Sequence, residues 1–131
     1  MPIVVAIDKK SDRAERTLKF AAEEAELRGM PVYVVHSLPG GSKTTDEDVF
    51  EAEKALSWAV SILKKEGVKG EKHLLVRGKE PAQDIVDFAD EIDAKMVVIG
   101  VRKRSPTGKL LFGSVARDVI LHANKPVACI K

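Results

Sequence analysis

Residues 100–114 carry Arg102, Lys103, Arg104 and Lys109 among Gly100, Gly108 and Gly113, and end on Ser114. An apolar run, Met96-Val97-Val98-Ile99, leads into this segment, and amphipathic sequence resumes at Val115-Ala116. A strand, a cationic glycine-bearing loop and a helix start in that order suit the binding of an anion. The first N–H groups of a helix are unpaired and carry partial positive charge, so phosphate oxygens are their natural partners. Glycine lets backbone approach such a ligand closely, while Arg and Lys supply full charges. The plainer reading is a solvated charge run, with Ser114 capping the helix without any ligand.

Better-known phosphate motifs do not describe the segment. A Walker A loop needs Gly-x-x-x-x-Gly-Lys followed by Ser or Thr. Here Gly108-Lys109 is followed by Leu110, and the first glycine is replaced by Lys103. A dinucleotide fingerprint would follow the first strand, but Ile7-Asp8-Lys9-Lys10-Ser11 has no glycine. A phosphoacceptor receiver would end its third strand on an acid, where this chain has Val76-Arg77-Gly78. Cys129, His36, His73 and His122 are scattered without the spacing of metal ligands. The histidines read as structural or surface residues.

The elements that must position the loop follow from hydrophobic periodicity. Short β-branched runs at residues 3–7, 31–35, 73–76, 96–99 and 127–130 read as strands, nearly continuous in apolar residues as in a sheet covered on both faces. Four helical patterns lie between them. The first opens at Asp12-Arg13-Ala14-Glu15, which resembles a capping box, carries Leu18, Ala21, Ala22 and Ala25 inward, and stops at Gly29. The second presents Val49, Ala52, Leu56, Ala59 and Leu63 before Gly67. The third starts at Pro81 with Ala82, Ile85, Ala89 and Ile92 inside, leaving Glu80, Asp84, Asp87 and Glu91 as a solvated stripe. The fourth runs from Gly113 to about His122.

This alternation predicts an α/β fold, a Rossmann-like doubly wound domain over residues 1–131 with a five-stranded, mainly parallel sheet and helices on both faces. Ligands in such folds bind beyond the carboxyl ends of the strands, where the strand order reverses. If the first and fourth strands are neighbours, Asp8, Ser37 and Gly100 surround one crevice.

Composition narrows the function classes. The chain has 131 residues, enough for one core, with 22 basic and 20 acidic side chains and a net charge of +2. So even a balance does not predict general affinity for nucleic acid or membranes; electrostatic function must come from the local cluster. The single cysteine, Cys129, excludes an internal disulfide and reads as a buried thiol within its apolar run. Residues 1–8 lack a signal-peptide pattern, and no run reaches the roughly 20 apolar residues of a membrane helix. A cytoplasmic protein is expected.

The glycine spacing, together with Val4-Val5-Ala6-Ile7-Asp8, Val35-His36-Ser37, Val97-Val98-Ile99-Gly100, Gly113-Ser114-Val115-Ala116 and Pro126-Val127, resembles the universal stress protein family over almost the whole chain. The family's nucleotide-binding members carry Gly-x-x-Gly, nine residues, then Gly followed by Ser or Thr. Gly100, Gly113 and Ser114 match that pattern without insertion, whereas its second glycine is Lys103 here. The resemblance implies an ATP-binding stress-response regulator or sensor, with or without Mg²⁺. Its ligand contacts would be Asp8 near the adenosine, Ser37 through its backbone, and Gly100, Arg102, Lys103, Gly108, Gly113 and Ser114 around the phosphates. Lys103 either contacts phosphate as a charge or fills the phosphate space, and Gly108 could supply the flexibility the missing glycine would have given.

The resemblance also implies a homodimer through the last strand, Val127, Ala128, Cys129 and Ile130. A sheet edge there would otherwise stay unpaired. No general base stands out, so a slow or partner-stimulated ATPase is the most that is expected. The alternative is a dimeric interaction module of the same fold that binds no nucleotide.

Overall fold

A computed structural model describes residues 1–102 and 112–131. Its elements, in chain order, are β1 (Ile3–Ala6), α1 (Asp12–Arg28), β2 (Val32–Leu38), a 3₁₀ turn (Gly41–Lys43), α2 (Asp46–Lys65), β3 (Gly70–Val76), α3 (Pro81–Glu91), β4 (Met96–Gly100), α4 (Ser114–His122) and β5 (Val127–Ile130). The strands form one sheet in the order β3-β2-β1-β4-β5, with each neighbouring pair parallel. This is the expected α/β doubly wound architecture. β1 lies at its centre, with Ile3 beside both Val32 and Met96.

Two apolar layers hold the helices to the sheet. On one face Leu18 and Ala21 of α1 and Leu56 and Leu63 of α2 pack on Ile3, Val5, Val34 and Val98. On the other, Ile85, Phe88 and Ala89 of α3 and Val119 of α4 pack on Val4, Val35, Val97 and Ile99. Successive residues of β1 and β4 therefore serve opposite faces, which is why these strands read as unbroken apolar runs.

Three local readings need correction. The cap of α1 is Ser11, whose Oγ accepts from the Ala14 N–H at 3.0 Å, so Asp12 is the first helical residue and not part of a capping box. Asp84 is not on a solvated stripe; it is fully buried. Cys129 is exposed, because β5 is an outer strand with one edge and much of its face uncovered. Even so, partial burial pushes its thiol pKa above the ordinary value.

Two strands are also longer than their apolar runs. β3 begins at Gly70-Glu71-Lys72, exposed or half-buried positions that carry no hydrophobic signal on a sheet edge. β2 continues through His36 to Leu38, so Ser37 lies within a strand rather than in a turn after it.

The Ser11 cap has a measurable value. Ser11→Ala is expected to lower stability by about 1 kcal/mol, since one N–H of the first turn loses its partner. Urea unfolding reads this directly, and an unchanged midpoint would show that α1 does not depend on the cap.

Candidate functional site

β1 and β4 are adjacent, and the chain leaves them toward opposite faces of the sheet. That divergence opens a crevice above their carboxyl ends, as a doubly wound sheet requires at its switch point. The cavity measures about 490 Å³. Asp8 borders it from the end of β1, Ser37 from β2, Gly100 and Arg102 from β4, and Gly113 and Ser114 from the start of α4. Six of the eight site residues expected from sequence are thus brought to one space. Lys103 and Gly108, with Arg104 and Lys109, lie outside the described residues.

The phosphate-compatible end is built by α4. Its N-cap is Gly113 in extended conformation, with no side-chain hydrogen bond at the cap among the described residues. Ser114 is the first helical residue and exposed, so the reading of Ser114 as the cap does not hold. The opening N–H groups of this nine-residue helix therefore border the crevice without a side-chain acceptor among the described residues. The amino end of α1 reaches the same space through Ser11, Arg13 and Ala14. Among the described lining residues, Lys9, Arg13 and Arg102 are the cations and Asp8 is the carboxylate. Lys9 and Arg13 were not anticipated; their signal was simply proximity to the carboxyl end of the central strand.

The two glycines have different reasons for being small. A Cβ on Gly100 would come within 3.2 Å of Thr17 Oγ1 and 3.3 Å of Arg13 carbons, so α1 approaches β4 closely there. A Cβ on Gly113 would meet nothing within 4 Å among the described residues, and its φ of −64° suits any amino acid. Nothing in the described fold asks for glycine at position 113.

The opposite end of the crevice is apolar, with Leu38, Pro39, Pro81 and Ile85 around the buried Ser37. Ser37 Oγ donates to Asp84 Oδ2 at 2.7 Å, and Arg77 Nε donates to Asp84 Oδ1 at 2.6 Å. Arg77 also forks onto Glu91, with Nη1 at 2.7 and 3.0 Å from its two oxygens. Burial works against the Arg77 charge, but hydrogen bonds to Glu91 and Asp84 outweigh it and raise its pKa above the ordinary value. This network ties β2, β3 and α3 together behind the crevice. Its signal was present in the sequence: Asp84 stands four residues before Phe88, on the same side of the helix as a core aromatic.

His36 is placed by the backbone, its Nδ1 lying 2.8 Å from the Ile7 carbonyl oxygen. His73 stacks against Tyr33 with ring centroids 4.9 Å apart. Among the described residues there is no cluster of three or more His, Cys, Asp or Glu suited to a metal, and no helix long and apolar enough to cross a membrane. A second concavity of about 340 Å³ lies at the amino ends of the strands, between Gly29-Met30-Pro31 and Gly67-Val68-Lys69. Its charged groups, Glu26 and Lys69, are exposed side chains, and it sits away from the switch point.

Known proteins share this fold. The family model described as the universal stress protein family matches residues 1–131. A universal stress protein of Mycolicibacterium smegmatis is 43% identical over 54 residues, covering 41% of this chain and 42% of that protein, so this match spans less than half of the relative. A solved universal stress protein from Archaeoglobus fulgidus superimposes with a TM-score of 0.96 at 79% identity, over 100% of this chain and 98% of that one. The structure of the universal stress protein from Archaeoglobus fulgidus in complex with dAMP gives a TM-score of 0.92 at 72% identity, with the same coverage.

Proposed function

The chain belongs to the universal stress protein family, and from that premise we propose that it binds an adenine nucleotide in the crevice between β1 and β4, as a dimeric stress-response regulator or sensor of the cytoplasm. The observation that carries this reading is the crevice itself. Among the described residues it joins an apolar recess at Ser37 to three cations and a helix N-terminus that has no side-chain cap, the two environments that a base and a phosphate chain need. The complex of the 72% identical neighbour with dAMP supports the nucleotide class.

In this reading Asp8 accepts from the ribose hydroxyls, and Gly113, Ser114 and the α4 N–H groups receive phosphate. Arg102 adds charge at the same end, and Gly100 keeps the floor low. Lys103 and Gly108 belong to the proposed phosphate loop on the strength of the sequence pattern. ATP, with or without Mg²⁺, is the proposed physiological ligand, since a cationic loop of this length suits a longer anion than one phosphate. Asp8 is the only described carboxylate at the crevice, so turnover is expected to be slow or to need a partner.

The test is titration calorimetry of the full chain with ATP, ADP, AMP and dAMP, together with mass spectrometry of undialysed protein. Binding of at least one adenine nucleotide at micromolar to millimolar concentration is expected. No heat with any of them, and no co-purifying nucleotide, would remove this reading and leave the nucleotide-free interaction module.

A further inference from the structure

We propose that the turn at residues 8–11 is a two-sided relay, which carries the occupancy of the crevice to the outer face of α2 by lifting Lys10 from Trp58. The proposal rests on the nucleotide-binding reading above and adds regulation to that site. Asp8, Lys9 and Ser11 border the crevice, and Lys10 does not. Lys10 reaches the other way, with its ammonium 5.9 Å from the ring centroid of Trp58. Trp58 belongs to α2, is not among the residues that border the crevice, and packs half-buried on the core layer of α1 and α2. One short turn thus faces the candidate ligand on one side and a neighbouring helix on the other.

The two ends of the turn are fixed and its middle is not. The Ile7 N–H donates to the Val35 carbonyl at 3.1 Å, and the Ile7 carbonyl oxygen lies 2.8 Å from His36 Nδ1. At the other end Ser11 accepts through Oγ from the Ala14 N–H at 3.0 Å and through its carbonyl from the Glu15 N–H at 2.9 Å. Between these anchors Asp8, Lys9 and Lys10 are exposed, and among the described residues their backbone makes no hydrogen bond. A segment so sparsely bonded shifts at little cost in free energy.

The contact on α2 is poised to report such a shift. An ammonium is attracted to the face of an aromatic ring out to about 6 Å from the centroid. At 5.9 Å Lys10 stands at the edge of that range, so a small displacement ends the attraction. A nucleotide whose ribose hydroxyls donate to Asp8 and whose phosphates attract Lys9 draws the turn toward the crevice. Lys10 then leaves the ring, and the face of Trp58 is uncovered to water. Empty and occupied crevices differ by that contact, and by linkage the contact opposes binding as much as binding weakens the contact.

Trp58 is the protein's single tryptophan, so tryptophan emission comes from this position. The experiment follows that emission in the full chain during titration with ATP, ADP, AMP and dAMP, with calorimetry on the same samples. The wild-type emission maximum is expected to move to longer wavelength and to saturate at the calorimetric affinity. Lys10→Ala should start at the longer wavelength and move no further, while still binding nucleotide. A double-mutant cycle with Trp58→Leu separates the contact from plain loss of charge. Lys10→Ala is expected to shift affinity upward by roughly two- to fivefold more in the wild-type background than in Trp58→Leu. If Trp58→Leu does not fold, the emission of wild type and Lys10→Ala decides alone. Unchanged wild-type emission at saturation, an equal shift in Lys10→Ala, or a cycle without coupling overturns the relay while nucleotide binding stands. No heat with any of the four nucleotides overturns both.

Discussion

Replacing Gly113 with valine is expected to abolish measurable nucleotide binding while the protein stays folded. The expectation comes from two facts that rarely coincide at a glycine. Its backbone angles, φ −64° and ψ 159°, are those of ordinary extended chain, and a Cβ there meets no described atom within 4 Å. The described fold therefore tolerates a side chain, with a change in stability of no more than about 1 kcal/mol at a position that caps α4. The ligand does not tolerate it. Phosphate oxygens that accept from the first N–H groups of α4 must come to within hydrogen-bonding distance of the backbone, and an isopropyl group occupies that approach. A loss of at least about 100-fold in affinity is expected, close to 2.7 kcal/mol. Calorimetry with ATP and AMP, alongside thermal unfolding of the same variant, makes the test. A folded Gly113→Val protein with wild-type affinity would show that the ligand does not approach the α4 backbone. Gly100 is the useful contrast, since alanine there strains the contact with Thr17 and Arg13 and is expected to disturb packing first.

The second large effect concerns self-association. β5 is an outer strand, and Cys129 on it is exposed, as are Val115, Ile120 and Leu121 of α4. An open parallel edge beside exposed apolar side chains is the surface a second copy would cover. The ladder tells which backbone groups are free. Val97 N–H donates to the Pro126 oxygen at 2.9 Å and Val101 N–H to the Ile130 oxygen at 2.7 Å. Backbone groups alternate in direction along a strand, so Pro126, Ala128 and Ile130 face β4, while Val127 and Cys129 face outward. Val127→Pro removes an outward donor and is expected to give a folded monomer, because proline is tolerated where the N–H faces away from the ladder. Ala128→Pro removes a donor used inside the protomer and is expected to destabilise the sheet itself. Light scattering at micromolar concentration separates the cases. A monomeric wild type, or an undiminished dimer in Val127→Pro, would refute association through this edge.

The architecture was legible because hydrophobic period and turn residues agreed along the chain. The runs at β1, β4 and β5 have no other good reading than strands, and Pro81 and Gly29 mark helix ends by their own backbone restrictions. The order β3-β2-β1-β4-β5 was not legible in that way; periodicity says which residues are covered, not by which neighbour. Asp84 was misread for a related reason. Spacing on a helix assigns a side, but whether a carboxylate is buried depends on partners from elsewhere, here Ser37 on β2 and Arg77 after β3. Cys129 failed in the opposite direction: an apolar run on an outer strand lacks the second layer that would bury it. The crevice residues Asp8, Gly100 and Gly113 could be placed because strand ends and helix starts are fixed points of this topology. Lys9 and Arg13 needed the coordinates, since cations after a strand are common and only position makes them relevant.

The pairing of β1 with β4 also has a consequence for how the molecule comes into being. β1 meets β2 after a short stretch of synthesis, but its other edge waits for residues 96–99, and the cationic end of the crevice waits longer still for α4. Contacts so distant in sequence are slow to form, and until they do the central strand exposes an unpaired edge to other nascent chains. A chain halted on the ribosome before α4 has no complete site, however much of its sheet has folded. Any ligand that needs both walls therefore binds finished molecules alone, and by mass action it holds them folded against partly made ones.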